Sequence, residues 1–233
     1  MLTVACVLNT PSPTYNAEWV RRLQAGVSKH LSVPHRFVCL TNNPEIDGIQ
    51  TKPLTDNLPA WWAKIELFKP GQFEGPVLYL DLDTMICGSI DELAGPWNGL
   101  VMLKDSPLYQ HVYGSGIMWF DPTQNPELEN IYNRFMSNPE GTMEEYSGKN
   151  GAEMNGDQGV IYQTMKQSGQ EVLRWQEILP SQWFLEFSYN RNLNPVVADD
   201  TYDRDARVCY PFGYPKFSNM PWVPIVQRHW KAV

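Results

Sequence analysis

The segment Gly75-Pro-Val-Leu-Tyr-Leu-Asp81-Leu-Asp83-Thr84 constrains this chain more than any other, because an apolar run stops abruptly at two aspartates separated by one residue. Val77 to Leu80 is short, wholly apolar and preceded by Gly-Pro. That is the pattern of a central strand covered on both faces. Ligands of such sheets gather where the strands end. In an extended chain, residues two apart project to the same side, so Asp81 and Asp83 are expected to share one cation. Two hard oxygen ligands suit Mg²⁺ or Mn²⁺, which keep their other positions for water and phosphate oxygens. The same pattern recurs at Asp203-Arg-Asp205, but in a polar stretch where solvated loop charges are the expectation.

With 233 residues and 42% hydrophobic content, the chain can build one sizeable core, and a single domain over 1–233 is expected. A net charge of −8 argues against a broad nucleic-acid or anionic-membrane surface. An anionic substrate would need local help, which a divalent cation and a few lysines would supply. The 4 cysteines, Cys6, Cys39, Cys87 and Cys209, are widely scattered with no C-x-x-C pair, so reduced, buried thiols are expected. The opening Met-Leu-Thr-Val-Ala-Cys-Val-Leu lacks the basic region and long apolar segment of a signal peptide, and no run reaches transmembrane length. A cytoplasmic protein is the expectation.

Thr3 to Leu8 reads as a strand, followed by a polar turn through Asn9 and Thr14. From Tyr15 to Leu31, Trp19, Val20, Leu23, Val27 and Leu31 recur at helical spacing, and Pro34 closes the helix. Arg36 to Thr41 is a second strand, and Glu45 to Pro59 reads as connecting loop. Such a strand, helix, strand start implies a parallel sheet. Ala60 to Phe68 is a short apolar helix with Lys64 at its middle. Leu100 to Leu103 and Gly116 to Phe120 are further strands, and Pro126 to Met136 is a helix with Pro-Glu in its first turn. The polar stretch Ser137 to Asn155 is expected to be a mobile loop. Asp157 to Ser168 resumes a helix, after which the pattern breaks into short aromatic-rich segments.

These landmarks resemble, in order, those of the GT-A fold glycosyltransferases, most closely the glycogenin-like and lipopolysaccharide galactosyltransferase-like group, family 8. Tyr-Leu-Asp81-Leu-Asp83-Thr followed by Gly88-Ser-Ile-Asp-Glu-Leu93 is similar to the family's metal motif and trailing turn. Gly114-Ser-Gly-Ile-Met-Trp-Phe-Asp-Pro122 resembles its sugar-pocket strand, with Gly114 where asparagine is usual, and Gly156-Asp-Gln158 resembles its donor-sugar motif. Gln227-Arg-His229-Trp-Lys231 resembles, more loosely, its C-terminal metal histidine and following lysine.

The resemblance implies an α/β, Rossmann-like GT-A domain with a central, mostly parallel mixed sheet flanked by helices. Residues 1–105 would form a nucleotide and metal half, and 106–233 a sugar and acceptor half. Implied too is transfer of a sugar from a nucleotide donor, a UDP-sugar, with Mn²⁺ or Mg²⁺ held by Asp81, Asp83 and His229. The cation would stabilise the charge growing on the leaving diphosphate as a Lewis acid. Lys64 and Lys231 would add positive charge. Leu8, Asn9 and Tyr15 fall where the family grips the nucleoside, Asp105 where it touches the donor sugar. Asp157 would bind sugar hydroxyls and Gln158 would lie near the anomeric carbon, with retention of configuration and no carboxylate nucleophile assigned. The acceptor is left open among carbohydrate, lipid-linked and protein groups.

Plainer roles stand beside these. Lys64 could snorkel to solvent, Asp157 could be an ordinary first-turn helix residue, Tyr15 could pack at a helix start, and His229 could be a surface histidine. Two whole-chain alternatives compete as well. A haloacid-dehalogenase-like phosphatase also follows an apolar strand with D-x-D and uses its first aspartate as nucleophile. A carbohydrate-binding protein on an inactive GT-A fold would bind sugar without metal or nucleotide.

Overall fold

In the computed structural model, which describes residues 1–43, 45–104, 113–148, 155–187, 205–211, 216–219 and 225–230, the two apolar runs lie side by side. β1 (Leu2–Leu8) pairs in parallel with β4 (Val77–Leu80), whose four residues are all buried. β2 (His35–Thr41) and β3 (Gln50–Pro53) extend the sheet in parallel beyond β1. On the other side of β4 come β7 (Tyr113–Phe120) and β6 (Leu100–Lys104), both antiparallel to their predecessors, and then β8 (Val172–Arg174), parallel to β6. The strand order is β3-β2-β1-β4-β7-β6-β8. A second sheet joins β5 (Met85–Ile86), β10 (Val208–Pro211) and β9 (Phe184–Phe187).

Strand alternation sorts the core onto two faces. Val4, Cys6 and Leu8 of β1 and Leu78 and Leu80 of β4 point to one cluster, completed by Trp19, Val20, Leu23 and Val27 of α1 (Ala17–His30). Ala5, Val77 and Tyr79 point to the other, which holds Trp62, Ile65 and, from α2 (Glu129–Ser137), Ile131 and Phe135. Trp62 and Phe135 stack with ring centroids 5.3 Å apart. Burying one such ring contributes about 1.5–3 kcal/mol. α1 starts where the Asn16 side chain accepts from the Glu18 amide.

Two expected loops contain structure. Within Glu45 to Pro59 lies β3, a polar edge strand whose terminal proline faces no further partner strand. Within Ser137 to Asn155 lies α3 (Pro139–Glu145), nucleated by the Asn138 cap and by proline in the first turn. The expected helix over Ala60–Phe68 is a 3₁₀ helix. Cys6, Cys39 and Cys209 are buried free thiols, as expected, while Cys87 is only half-buried. Among the described residues, no helix is long and apolar enough to cross a membrane.

Candidate active site

The sheet reverses its winding between β1 and β4, so both strands end at a topological switch point, where sheets of this kind bind ligands. Two cavities meet there. One, of about 410 Å³, is lined by Val7, Pro11, Pro13, Tyr15, Trp61 and Leu82 among others. The second, of about 230 Å³, is lined by Lys104, Ser115, Asp157, Gln158 and Tyr210 among others. Lys64, Asp81 and Asp83 line both and form the wall between them.

The aspartates reach that wall by a different route from the one the sequence suggested. β4 stops at Leu80, and the Thr84 amide donates to the Asp81 carbonyl across a turn, so the pair is not in extended chain. Around them is a dense charge network. Lys64 Nζ lies 3.3 Å from Asp81 and 3.1 Å from Asp157, and donates to Ser115 Oγ at 2.9 Å. Ser115 in turn donates to Asp157 Oδ2 at 2.6 Å. The Tyr79 hydroxyl donates to Asp81. Asp83 Oδ2 accepts from the Tyr15 hydroxyl at 2.6 Å and lies 2.7 Å from Lys216 Nζ. Gly116 lies beside this pair, and a Cβ there would meet Asp81 Oδ2 at 3.4 Å, ordinary contact.

Burial would lower the Lys64 pKa, but Asp157 and Asp81 outweigh it and hold the ammonium well above its ordinary range. Lys64 is therefore a fixed buried cation rather than a snorkelling one. Burial pushes the Asp81 carboxyl up; Lys64 pulls it back, and the neighbouring Asp83 pushes it up again. Burial and the Asp83 carboxylate likewise raise the Tyr15 hydroxyl. Among the described residues in direct contact, the carboxylates of Asp81, Asp83 and Asp157 outnumber the ammonium groups of Lys64 and Lys216, with Lys104 also lining the second cavity.

Asp157 stands in the first turn of α4 (Gly156–Gln167), yet its carboxylate turns to Lys64 and Ser115, and Asn155 holds the cap position. Gln158 lines the second cavity beside it. Asn9 faces the first cavity, but its amide donates to the carbonyls of Leu58 at 2.7 Å and Ala60 at 3.4 Å, so its donors hold protein backbone. Leu8 sits one residue off the cavity lining. Strand alternation sends its side chain into the core under α1, and Val7 lines the cavity instead.

His229 stands near the C-terminal end of the described chain. It lines a small crevice with Arg22, Gly26 and Thr84, because Trp230 packs on Trp19 with centroids 4.6 Å apart and its carbonyl accepts from Arg22. Among the described residues, no three His, Cys, Asp or Glu groups lie close enough to hold an ion together. Asp105 and Lys231 lie outside the described residues, as does Asp203. The sequence reading missed Lys216 and Tyr210, which the C-terminal part of the chain delivers to the wall and to the second cavity. Both lie in or beside segments without periodicity; only the basic character of Lys216 in an acidic chain marked it.

No protein-family model matches the chain, and no curated protein matches it in sequence. Solved structures do. The galactosyltransferase LgtC, in complex with donor and acceptor sugar analogues, aligns over 97% of this chain and 93% of its own, with a TM-score of 0.59 and 14% identity. An active-site mutant of LgtC, with an active-site glutamine changed to glutamate, aligns over 92% and 89%, with a TM-score of 0.58 and 14% identity. The GT-A fold implied by the sequence motifs is thus the fold of this chain.

Proposed function

We propose that this protein is a metal-dependent glycosyltransferase that moves a sugar from a uridine diphosphate donor to an acceptor hydroxyl with retention of configuration. The observation that carries the reading is the Asp81 and Asp83 wall between an apolar and a polar cavity, at the switch point of a GT-A sheet. A nucleoside suits the apolar side, sugar hydroxyls the polar side, and a diphosphate the wall. The fold shared with LgtC supports it, since that protein binds donor and acceptor sugar analogues. The phosphatase reading loses its support with the fold.

The donor set fits a divalent cation. Two aspartates with water and phosphate oxygens satisfy Mg²⁺ or Mn²⁺, and the mutual repulsion of Asp81 and Asp83 would be relieved by one. Asp81 and Asp83 would hold the ion, which would act as a Lewis acid on the leaving diphosphate. Lys216, now on Asp83, is positioned to share its charge with a diphosphate arriving there. Lys64 orients Asp157, whose remaining acceptor capacity would meet donor-sugar hydroxyls. Gln158, which lines the second cavity, would occupy the place beside the anomeric carbon. The bond from the anomeric carbon to the diphosphate oxygen breaks as the acceptor oxygen attacks from the same face. The acceptor proton then passes to that diphosphate.

The test is thermal unfolding with UDP, Mn²⁺ and both, since a ligand that binds only the folded state raises the midpoint. Stabilisation that needs both is expected. No shift with the two together would overturn the proposal.

A further inference from the structure

One large aromatic side chain in the first cavity is exposed where the rest of the core's rings are buried. Trp61 is 59% exposed, and among the described residues only Met1 is a more exposed large hydrophobic. A single exposed ring on an open surface calls for no explanation. This one lines the 410 Å³ cavity that ends at the aspartates.

The chain is built to hold it there. Asn57 and Ala60 both adopt left-handed backbone, with φ of 52° and 48°. Such conformations in non-glycine residues gather at functional sites. The turn is clamped on both sides. The Asn9 amide donates to the Leu58 and Ala60 carbonyls, and buried Glu66 accepts from the Thr55 amide at 2.8 Å and the Asp56 amide at 3.2 Å. Side chains three apart share an edge in a 3₁₀ helix, and Trp61 and Lys64 both line the cavity, with Trp61 Nε1 also against Gly156, where a Cβ would meet it at 3.3 Å.

Resting on the transferase reading, we propose that Trp61 is the face on which the nucleobase of the donor stacks. The cavity it lines is bounded by Val7, Pro11, Pro13 and Leu82, whereas the groups suited to sugar hydroxyls line the other cavity. Tyr15, which the resemblance places where the family grips the nucleoside, lines the same cavity but has its polar end engaged. Its hydroxyl is bound to Asp83, its ring sits edge-on to Trp19 at 5.2 Å, and Lys216 lies 6.0 Å from its ring centre. An indole offers a broad, rigid face, and base stacking on such a ring depends little on which base is present.

The test is calorimetric binding of UDP and of inorganic pyrophosphate, each with Mn²⁺, to the wild type, Trp61→Phe and Trp61→Ala. Loss of a stacked base weakens binding roughly 5- to 150-fold, so Trp61→Ala is expected to lose UDP affinity by about that factor. Trp61→Phe should keep most of it, and both variants should bind pyrophosphate as the wild type does. Unchanged UDP affinity in Trp61→Ala overturns the proposal while the transferase reading stands, including the case where only UDP-galactose binding falls. An equal loss for pyrophosphate also overturns it, since Trp61 would then merely support the wall. A wild type that binds no UDP overturns both readings.

Discussion

The two cavities share one wall and have opposite physics. The apolar one is shaped by proline, aliphatic and aromatic side chains and offers contact area, with the polar donors of Asn9 already engaged in holding the Trp61 turn. The polar one is shaped by a closed network of Lys64, Ser115, Asp157 and Asp81, in which each group satisfies another. Contact area adapts to what enters, whereas a charge network is fixed before the ligand arrives and is costly to disturb. Substitutions in the wall should therefore injure every function, those in the network should injure stability first, and those in the apolar cavity should injure nucleoside binding alone.

The sharpest break is at the wall. Asp83→Asn keeps the side chain's shape but removes a charge that, on the proposed function, would bind the cation. Transfer is expected to fall by a factor on the order of a thousand, as for other losses of transition-state electrostatics. The unfolding midpoint without ligand should stay close to that of the wild type. Assay of sugar release from UDP-galactose and UDP-glucose, beside a melting curve, checks both. Retained activity with a normal melt would separate the carboxylate pair from the chemistry.

Next is the network. Lys64→Met leaves Asp157 and Asp81 without their shared buried cation, and stranding buried charges in this way costs about 3–5 kcal/mol. Urea titration reads that loss directly; a cost under about 1 kcal/mol would mean that the network is hydrated and weak. Asp81→Asn should do the reverse. A carboxyl whose pKa is raised on folding holds its proton more tightly folded than unfolded. Its contribution to stability is thus greatest at low pH and falls as pH climbs from the unfolded value through the higher folded one. Removing that charge should raise the neutral-pH melting midpoint of the free protein and flatten this part of its pH profile, while stabilisation by UDP with Mn²⁺ disappears. A lower midpoint at neutral pH would show that pairing with Lys64 outweighs the burial of Asp81.

The same division explains what was legible in the sequence. β1, α1 and β4 follow from uninterrupted periodicity, and the D-x-D landmark marks the wall because an apolar strand cannot end in two carboxylates without a purpose. The geometry of the pair was not legible, since the turn closed by Thr84 depends on hydrogen bonding beyond the strand. α3 was encoded in Asn138-Pro139-Glu140, but the polarity of its surroundings masked the cap. Lys216 and His229 show the limit most clearly. Both are basic groups near the end of the chain; Lys216 lies against Asp83, while His229 lines a crevice beside Trp230, which packs on Trp19. The first cavity was read through Tyr15, whose hydroxyl the structure gives to Asp83. Trp61 sits in an apolar run where nothing local distinguishes an exposed indole from the buried Trp62 beside it.

The smallest effect concerns the floor of the polar cavity, where Gly114 stands in place of the asparagine that the resembled family carries. Gly114 is not in left-handed backbone, and a Cβ there would meet Leu103 Cβ at 3.4 Å, ordinary contact. Gly114→Asn should therefore fold with little loss and place a carboxamide beside Ser115 and Asp157. A single added hydrogen bond is worth roughly 0.5–1.5 kcal/mol net. Relative rates with UDP-galactose and UDP-glucose should shift by about two- to tenfold, while UDP itself binds unchanged. Weakened UDP binding in this variant would mean that the two cavities are not independent, and that the wall transmits a change on its polar side to the nucleoside.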